Sequence, residues 1–174
     1  MSLYALYKWF HRQLPEADMK LDVKRNVLYI TREEERKQTV LYVREQLTLN
    51  DWYEQQDQFK LAGVEPIWIL DASRYVRYAK LREARGARLR GSVPKAIFQE
   101  TGVCYYWNGW ERRFVIDTSF EKRIITFQRN NLSLWHEYDF HIPFRQECDI
   151  EEVFMKGGRI TCKRLEAFYV KNYW

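Results

Sequence analysis

TVLYVREQ (Thr39–Gln46), LTLNDWYEQQDQFKLAG (Leu47–Gly63) and VEPIWIL (Val64–Leu70) make up the stretch whose reading decides the fold. Its two ends are apolar and rich in β-prone residues. Its middle is polar, carries aromatic residues at helical spacing and closes on a glycine. The pattern reads as strand, helix, strand, with the length of a βαβ crossover, which joins two parallel strands over one sheet face. Asn50 is expected to cap the helix through its side-chain oxygen, with Asp51 beside the positive end of the helix dipole. Trp52, Phe59 and Ala62 fall on one helix face with Gln55 and Gln56, and Gly63 suits the left-handed position after the last turn. Ile67–Leu70 is wholly apolar, as expected of a strand covered on both faces. Ligand sites in such sheets sit at strand ends, which draws attention to Arg44–Glu45–Gln46.

Upstream, Leu3, Leu6, Tyr7, Phe10 and Leu14 recur at helical spacing, so Leu3–Leu14 reads as an amphipathic helix ended before Pro15. Val27–Ile30 is β-prone, and the charged run Thr31–Gln38 reads as a hairpin loop that pairs it antiparallel to Thr39–Gln46. Downstream, Ser73 to about Leu89 reads as a helix. Val103–Trp107 and Trp110–Ile116 flank Asn108-Gly109, which predicts a hairpin with a type I′ turn. Lys122–Gln128 is a further strand, Leu134–Phe144 is aromatic and β-prone, and Glu151–Lys163 predicts a second hairpin across Gly157-Gly158. The expected architecture is α/β (α+β): a mixed sheet flanked by helices, with a β-rich C-terminal part. The loosened stretch Gly91–Gln99 divides a core (residues 1–90) from that part (residues 91–174).

With 174 residues, 17% aromatic content, 7 Gly and 4 Pro, the chain can bury a sizeable core. No apolar run approaches the roughly 20 residues that span a bilayer, and no signal-peptide pattern opens the chain, so no membrane partner is expected. Cys104, Cys148 and Cys162 are odd in number and far apart in the chain, which suits reduced thiols and a cytoplasmic location. Net charge is +5, and Arg74–Arg90 alone holds seven basic residues and one acidic residue, a net +6. Arg74, Arg77, Lys80, Arg82, Arg85, Arg88 and Arg90 are therefore the expected nucleic-acid contacts, because a stripe of cations can neutralise adjacent phosphates. A solvated helix face is the alternative.

GxSxG, P-loop, GxGxxG and HExxH patterns are missing, which lowers serine-hydrolase, nucleotide-hydrolase, Rossmann and zincin readings. A metal-dependent nuclease needs carboxylates at adjacent strand ends to hold Mg²⁺ and a polar group to orient water. Asp22, Glu45 and Gln46 are the candidates for that chemistry, and each also has a plain reading as an exposed polar residue. His11, His136 and His141 do not cluster. Tyr105, Tyr106, Trp107 and Trp110 could stack on bases, although strand aromatics more often build a core.

The Thr39–Leu70 block resembles the nuclease-like domain of the competence protein CoiA family. GVEPIWIL (Gly63–Leu70) resembles that family's closing strand, Gln46 matches the Gln of its Glu-x-Gln strand end, and Phe59 falls on a helix Tyr. Tyr4–Leu14, including Lys8, resembles its opening helix, and Lys24–Leu28 its R-x-D-V-L strand. The family's metal-binding Asp falls on Asn26, its Glu on Arg44 and its helix Arg on Gln55. The resemblance implies a PD-(D/E)XK, restriction-endonuclease-like core that binds DNA in uptake and recombination. It also implies a degenerate catalytic motif, with Mg²⁺ as cofactor if activity is kept. An active Mg²⁺-dependent endonuclease and a protein-interaction module docking through the aromatic C-terminal part are the two alternatives. The family's cysteine-bearing N-terminal region has no counterpart before Tyr4, as in a short homologue or a fragment.

Overall fold

A computed structural model of the chain describes residues 2–76, 93–128 and 135–167, and side chains within 3–76, 93–118 and 144–167. The βαβ unit is present. β3 (Lys37–Val43) and β4 (Glu65–Asp71) lie parallel, with Val40 opposite Ile67 and Val43 opposite Leu70, and α2 (Leu49–Ala62) connects them. Two antiparallel strands precede the unit, β1 (Asp18–Asp22) and β2 (Val27–Thr31), and α1 (Ser2–Gln13) opens the chain. After β4 come α3 (Ala72–Tyr75) and α4 (Val93–Thr101), and then β5 (Cys104–Asn108), which pairs parallel to β4. β6 (Arg113–Gln128) and β7 (Trp135–Asp149) complete a seven-stranded mixed sheet whose strands lie in chain order. Strands on either side of the 90/91 division thus belong to one sheet. β8 (Val153–Lys156) and β9 (Arg159–Cys162) form a separate hairpin. Among the described residues no helix is long and apolar enough to cross a membrane.

Alternation along the central strands sends side chains to two cores. Ile67 and Ile69 of β4 join Leu6, Trp9 and Phe10 of α1, together with Val153 and Ile160 of the β8–β9 hairpin. Trp68 and Leu70 face the other way, into a cluster with Trp52 of α2 and Val93, Ala96 and Ile97 of α4. A strand with apolar residues on both faces needs a layer on each side, and here it has them.

Several boundaries differ from the sequence expectation. β3 stops at Val43 instead of Gln46, because groups from α3 take up the next backbone polar atoms, as described below. The cap of α2 is Thr48, whose Oγ1 accepts from the Asp51 N–H at 3.1 Å, and Asn50 is already inside the helix. Gly63 takes the expected left-handed conformation at φ 68°. Ala62 is exposed, while Trp52 and Gln56 are the buried residues of α2. Of the helix expected over Ser73–Leu89 the described part ends at Tyr75, and residues 77–92 lie outside the described residues. The β5–β6 turn is longer than type I′. Asn108 pairs with Arg113, and the Asn108 Oδ1 accepts from the N–H groups of Trp110 (3.1 Å) and Glu111 (3.2 Å). The second hairpin is as expected, with Gly157 and Gly158 at φ 58° and 77°, the pair of left-handed residues that a two-residue turn demands.

Folding also unites two thiols that the sequence separates. Cys148 Sγ on β7 lies 2.8 Å from Cys162 Sγ on β9, both buried. Burial, with the Cys162 thiol beside it, pushes the Cys148 thiol up from 9.0 to about 12. The unfolded chain releases this proton near pH 9, whereas the folded chain retains it. The contribution to stability is therefore full below pH 9 and is lost as the pH rises toward about 12. Under reducing conditions, denaturant titrations should show stability falling as the pH rises through that interval. Cys148→Ala should show a shallower fall over the same pH range.

Candidate functional site

The C-terminal ends of β3, β4 and β5 and the β1–β2 turn meet at one end of the sheet, since β2 begins where β3 finishes, with Val27 opposite Leu41. The chain leaves β3 in a bend over Arg44–Leu47 that the segment after β4 holds in place. Arg74 Nε donates to the Arg44 carbonyl at 2.8 Å. The Tyr75 hydroxyl donates to the Glu45 carbonyl at 2.6 Å and accepts from the Leu47 N–H at 2.8 Å. Burial raises the Tyr75 phenol above its ordinary value, so the hydroxyl keeps the proton that the Glu45 carbonyl needs. α3 is itself capped by Asp71, whose Oδ1 accepts from the Ser73 N–H at 3.0 Å and the Ser73 Oγ at 2.8 Å.

On the opposite side of the bend, Asn26 closes the β1–β2 turn at φ 55°, a left-handed conformation that Asn tolerates better than most residues. Its carbonyl accepts from the Tyr42 N–H at 3.0 Å, which ties the turn to β3. Between these supports lies a cleft of about 580 Å³. Lys24, Arg25, Arg44 and Arg74 line it against two carboxylates, Glu45 and Asp71, with Asn26 and Gln55 also present and Trp68 behind them. A hollow of about 470 Å³ shares Tyr42, Arg44 and Asp71 with this cleft and extends to Trp110.

The three residues expected to carry nuclease chemistry are placed unequally. Glu45 lines the cleft. Asp22 is engaged with its own turn, its Oδ1 accepting from the Arg25 N–H at 3.2 Å, and is not among the lining residues. Gln46 is exposed beyond the end of β3 and does not line the cleft either. Among the described residues no three His, Cys, Asp or Glu side chains converge on a point that could hold a metal ion. Asn26 and Arg44 in this cleft offer an amide and a cation, which do not fit Mg²⁺.

Of the expected phosphate contacts, Arg74 lines the cleft; Arg77, Lys80, Arg82, Arg85, Arg88 and Arg90 lie outside the described residues. Tyr105, Tyr106 and Trp107 are buried, whereas Trp110 is 97% exposed. Sequence reasoning missed Lys24, Arg25 and Asp71. Asp71 had a usable signal, since it directly follows the IWIL strand and so must stand at its C-terminal end. No family model, curated protein or solved structure was found to match the chain.

Removing the phenol that braces the bend tests its role. Tyr75→Phe leaves the Leu47 N–H and the Glu45 carbonyl without that partner, near enough to solvent that water can replace part of the loss. The expected cost is about 1–2 kcal/mol. Amide exchange at Leu47 should quicken by a larger factor than exchange at the core residues of β4.

Proposed function

We propose that this chain binds nucleic acid, holding the phosphate backbone in the cleft at the ends of β3 and β4. The carrying observation is the composition of that cleft, four cationic residues against two acidic ones, with Arg25 also paired to Asp22 outside it at 3.9 Å. One of those carboxylates, Asp71, already accepts two hydrogen bonds from Ser73. Phosphate binding needs this balance of charge, whereas divalent-metal catalysis needs the reverse. The helix, three-stranded meander and crossover order supports a restriction-endonuclease-like reading, and the CoiA resemblance adds a role in DNA uptake or recombination. On this reading the nuclease site is degenerate, with Asn26 and Arg44 holding the phosphate where relatives of such a fold would hold a cation.

The test is DNA affinity measured against salt. Each phosphate neutralised contributes about −0.7 to −0.9 to the log–log slope. Arg44→Gln should weaken binding to every sequence and reduce the slope by about one. A slope near zero for the unaltered protein removes the reading and leaves the protein-interaction alternative. Cleavage in Mg²⁺ or Mn²⁺ that disappears in Glu45→Ala would replace it with an active endonuclease.

A further inference from the structure

Trp110 is the most exposed large hydrophobic residue described, at 97%, yet the backbone beneath it is pinned from three sides. Asn108 Oδ1 accepts from the N–H groups of Trp110 and Glu111, Arg112 turns the chain at φ 53°, and the Arg112 carbonyl accepts from the Ile150 N–H at 3.0 Å. The indole is therefore exposed on a fixed support, and fixing a contact surface before binding reduces the ordering cost of using it. It borders the hollow that shares Tyr42, Arg44 and Asp71 with the cationic cleft, so an exposed aromatic residue and that cleft adjoin one another.

We propose that Trp110 is a stacking platform for an unpaired nucleobase, which makes single-stranded nucleic acid the substrate class of the cleft. This rests on the phosphate-binding reading above and goes beyond it in strandedness. In a duplex each base is covered above and below by its neighbours. A single strand presents free base faces while its phosphates run along Arg44 and Arg74. The other aromatics of this hairpin cannot serve, because Tyr105, Tyr106 and Trp107 are in the core.

The experiment compares the full chain with Trp110→Ala, Trp110→Phe and Arg44→Gln. The probes are a single-stranded oligodeoxythymidine, an abasic oligomer of the same length, an oligouridine and a duplex. Trp110 is exposed, so its replacement leaves the core intact, and circular dichroism confirms this. Trp110→Ala should weaken oligodeoxythymidine binding by about 5- to 150-fold, the range for loss of one stacked base, and Trp110→Phe should restore part of it. Abasic binding should be unchanged by Trp110→Ala and weakened by Arg44→Gln, and the unaltered protein should prefer the single strand to the duplex. The oligouridine arm distinguishes RNA from DNA as the source of the base. Equal binding of base-bearing and abasic oligomers, with no effect of Trp110→Ala, overturns the stacking proposal while leaving phosphate binding intact. Failure of every probe to bind overturns the phosphate-binding reading and the stacking proposal together.

Discussion

Asp117→Asn is expected to destabilise the protein by about 3–5 kcal/mol, the range for removing one partner of a buried ion pair. Asp117 on β6 is fully buried and accepts three hydrogen bonds: from Arg145 Nε on β7 at 2.8 Å, from Arg145 Nη2 at 2.9 Å and from the Tyr106 hydroxyl on β5 at 2.8 Å. The Arg145 side chain is only 8% exposed and lies over the Tyr106 ring, 5.6 Å from its centroid. An amide at position 117 keeps the shape but removes the charge that compensates a guanidinium almost without water, and it turns an NH₂ group toward other donors. For a chain of this length the loss corresponds to a fall of roughly 6–20 °C in thermal midpoint. Replacing all three groups, Asp117→Leu with Arg145→Met and Tyr106→Phe, should recover part of it, because neither half of this ion pair nor the Tyr106 hydroxyl is then left without its partner. A single variant as stable as the parent would show that the carboxylate contributes no net stabilisation.

The same pair shows what could be read in the chain beforehand. That β5 and the start of β6 are strands follows from the local composition of Val103–Trp107 and Trp110–Ile116, although Trp110–Arg112 belong to the turn, and the Gly157-Gly158 turn follows in the same way. That Asp117 and Arg145 meet does not, because they are 28 residues apart and the pairing depends on the register of the long β6–β7 ribbon. The βαβ block was legible because its period changes from 2 to 3.6 and back within one short stretch. Its fine boundaries were not, since the end of β3 depends on Arg74 and Tyr75, 30 residues away. The candidate site was legible in position, at the end of β3. Its character was only half legible. Arg44 and Arg74 could be named, while Lys24 and Arg25 join them only because the β1–β2 turn folds back beside β3.

Trp52→Ala carries the second large effect, about 3–5 kcal/mol, and the reason lies in the crossover itself. Parallel β3 and β4 require α2 to pack on the sheet, and Trp52 is its fully buried anchor, with its ring 5.9 Å from that of Trp68. Trp68 lines the cleft and donates its indole N–H to the Gln56 Oε1 at 2.8 Å, so loss of Trp52 loosens the cleft wall and should weaken nucleic-acid binding as well. Smaller replacements separate packing from hydrogen bonding. The Trp52 indole N–H is buried with no acceptor among the described residues, whereas the Trp9 indole N–H donates to the Val153 carbonyl at 3.2 Å. Trp52→Phe discards a donor that was already unsatisfied, and Trp9→Phe leaves a buried carbonyl without its partner, a penalty of about 1–3 kcal/mol. Denaturant titrations should therefore rank the losses as Trp52→Ala largest, Trp9→Phe next and Trp52→Phe smallest. If Trp52→Phe costs as much as Trp9→Phe, the Trp52 N–H has a partner in solution, and the docking of α2 rests on more than apolar packing.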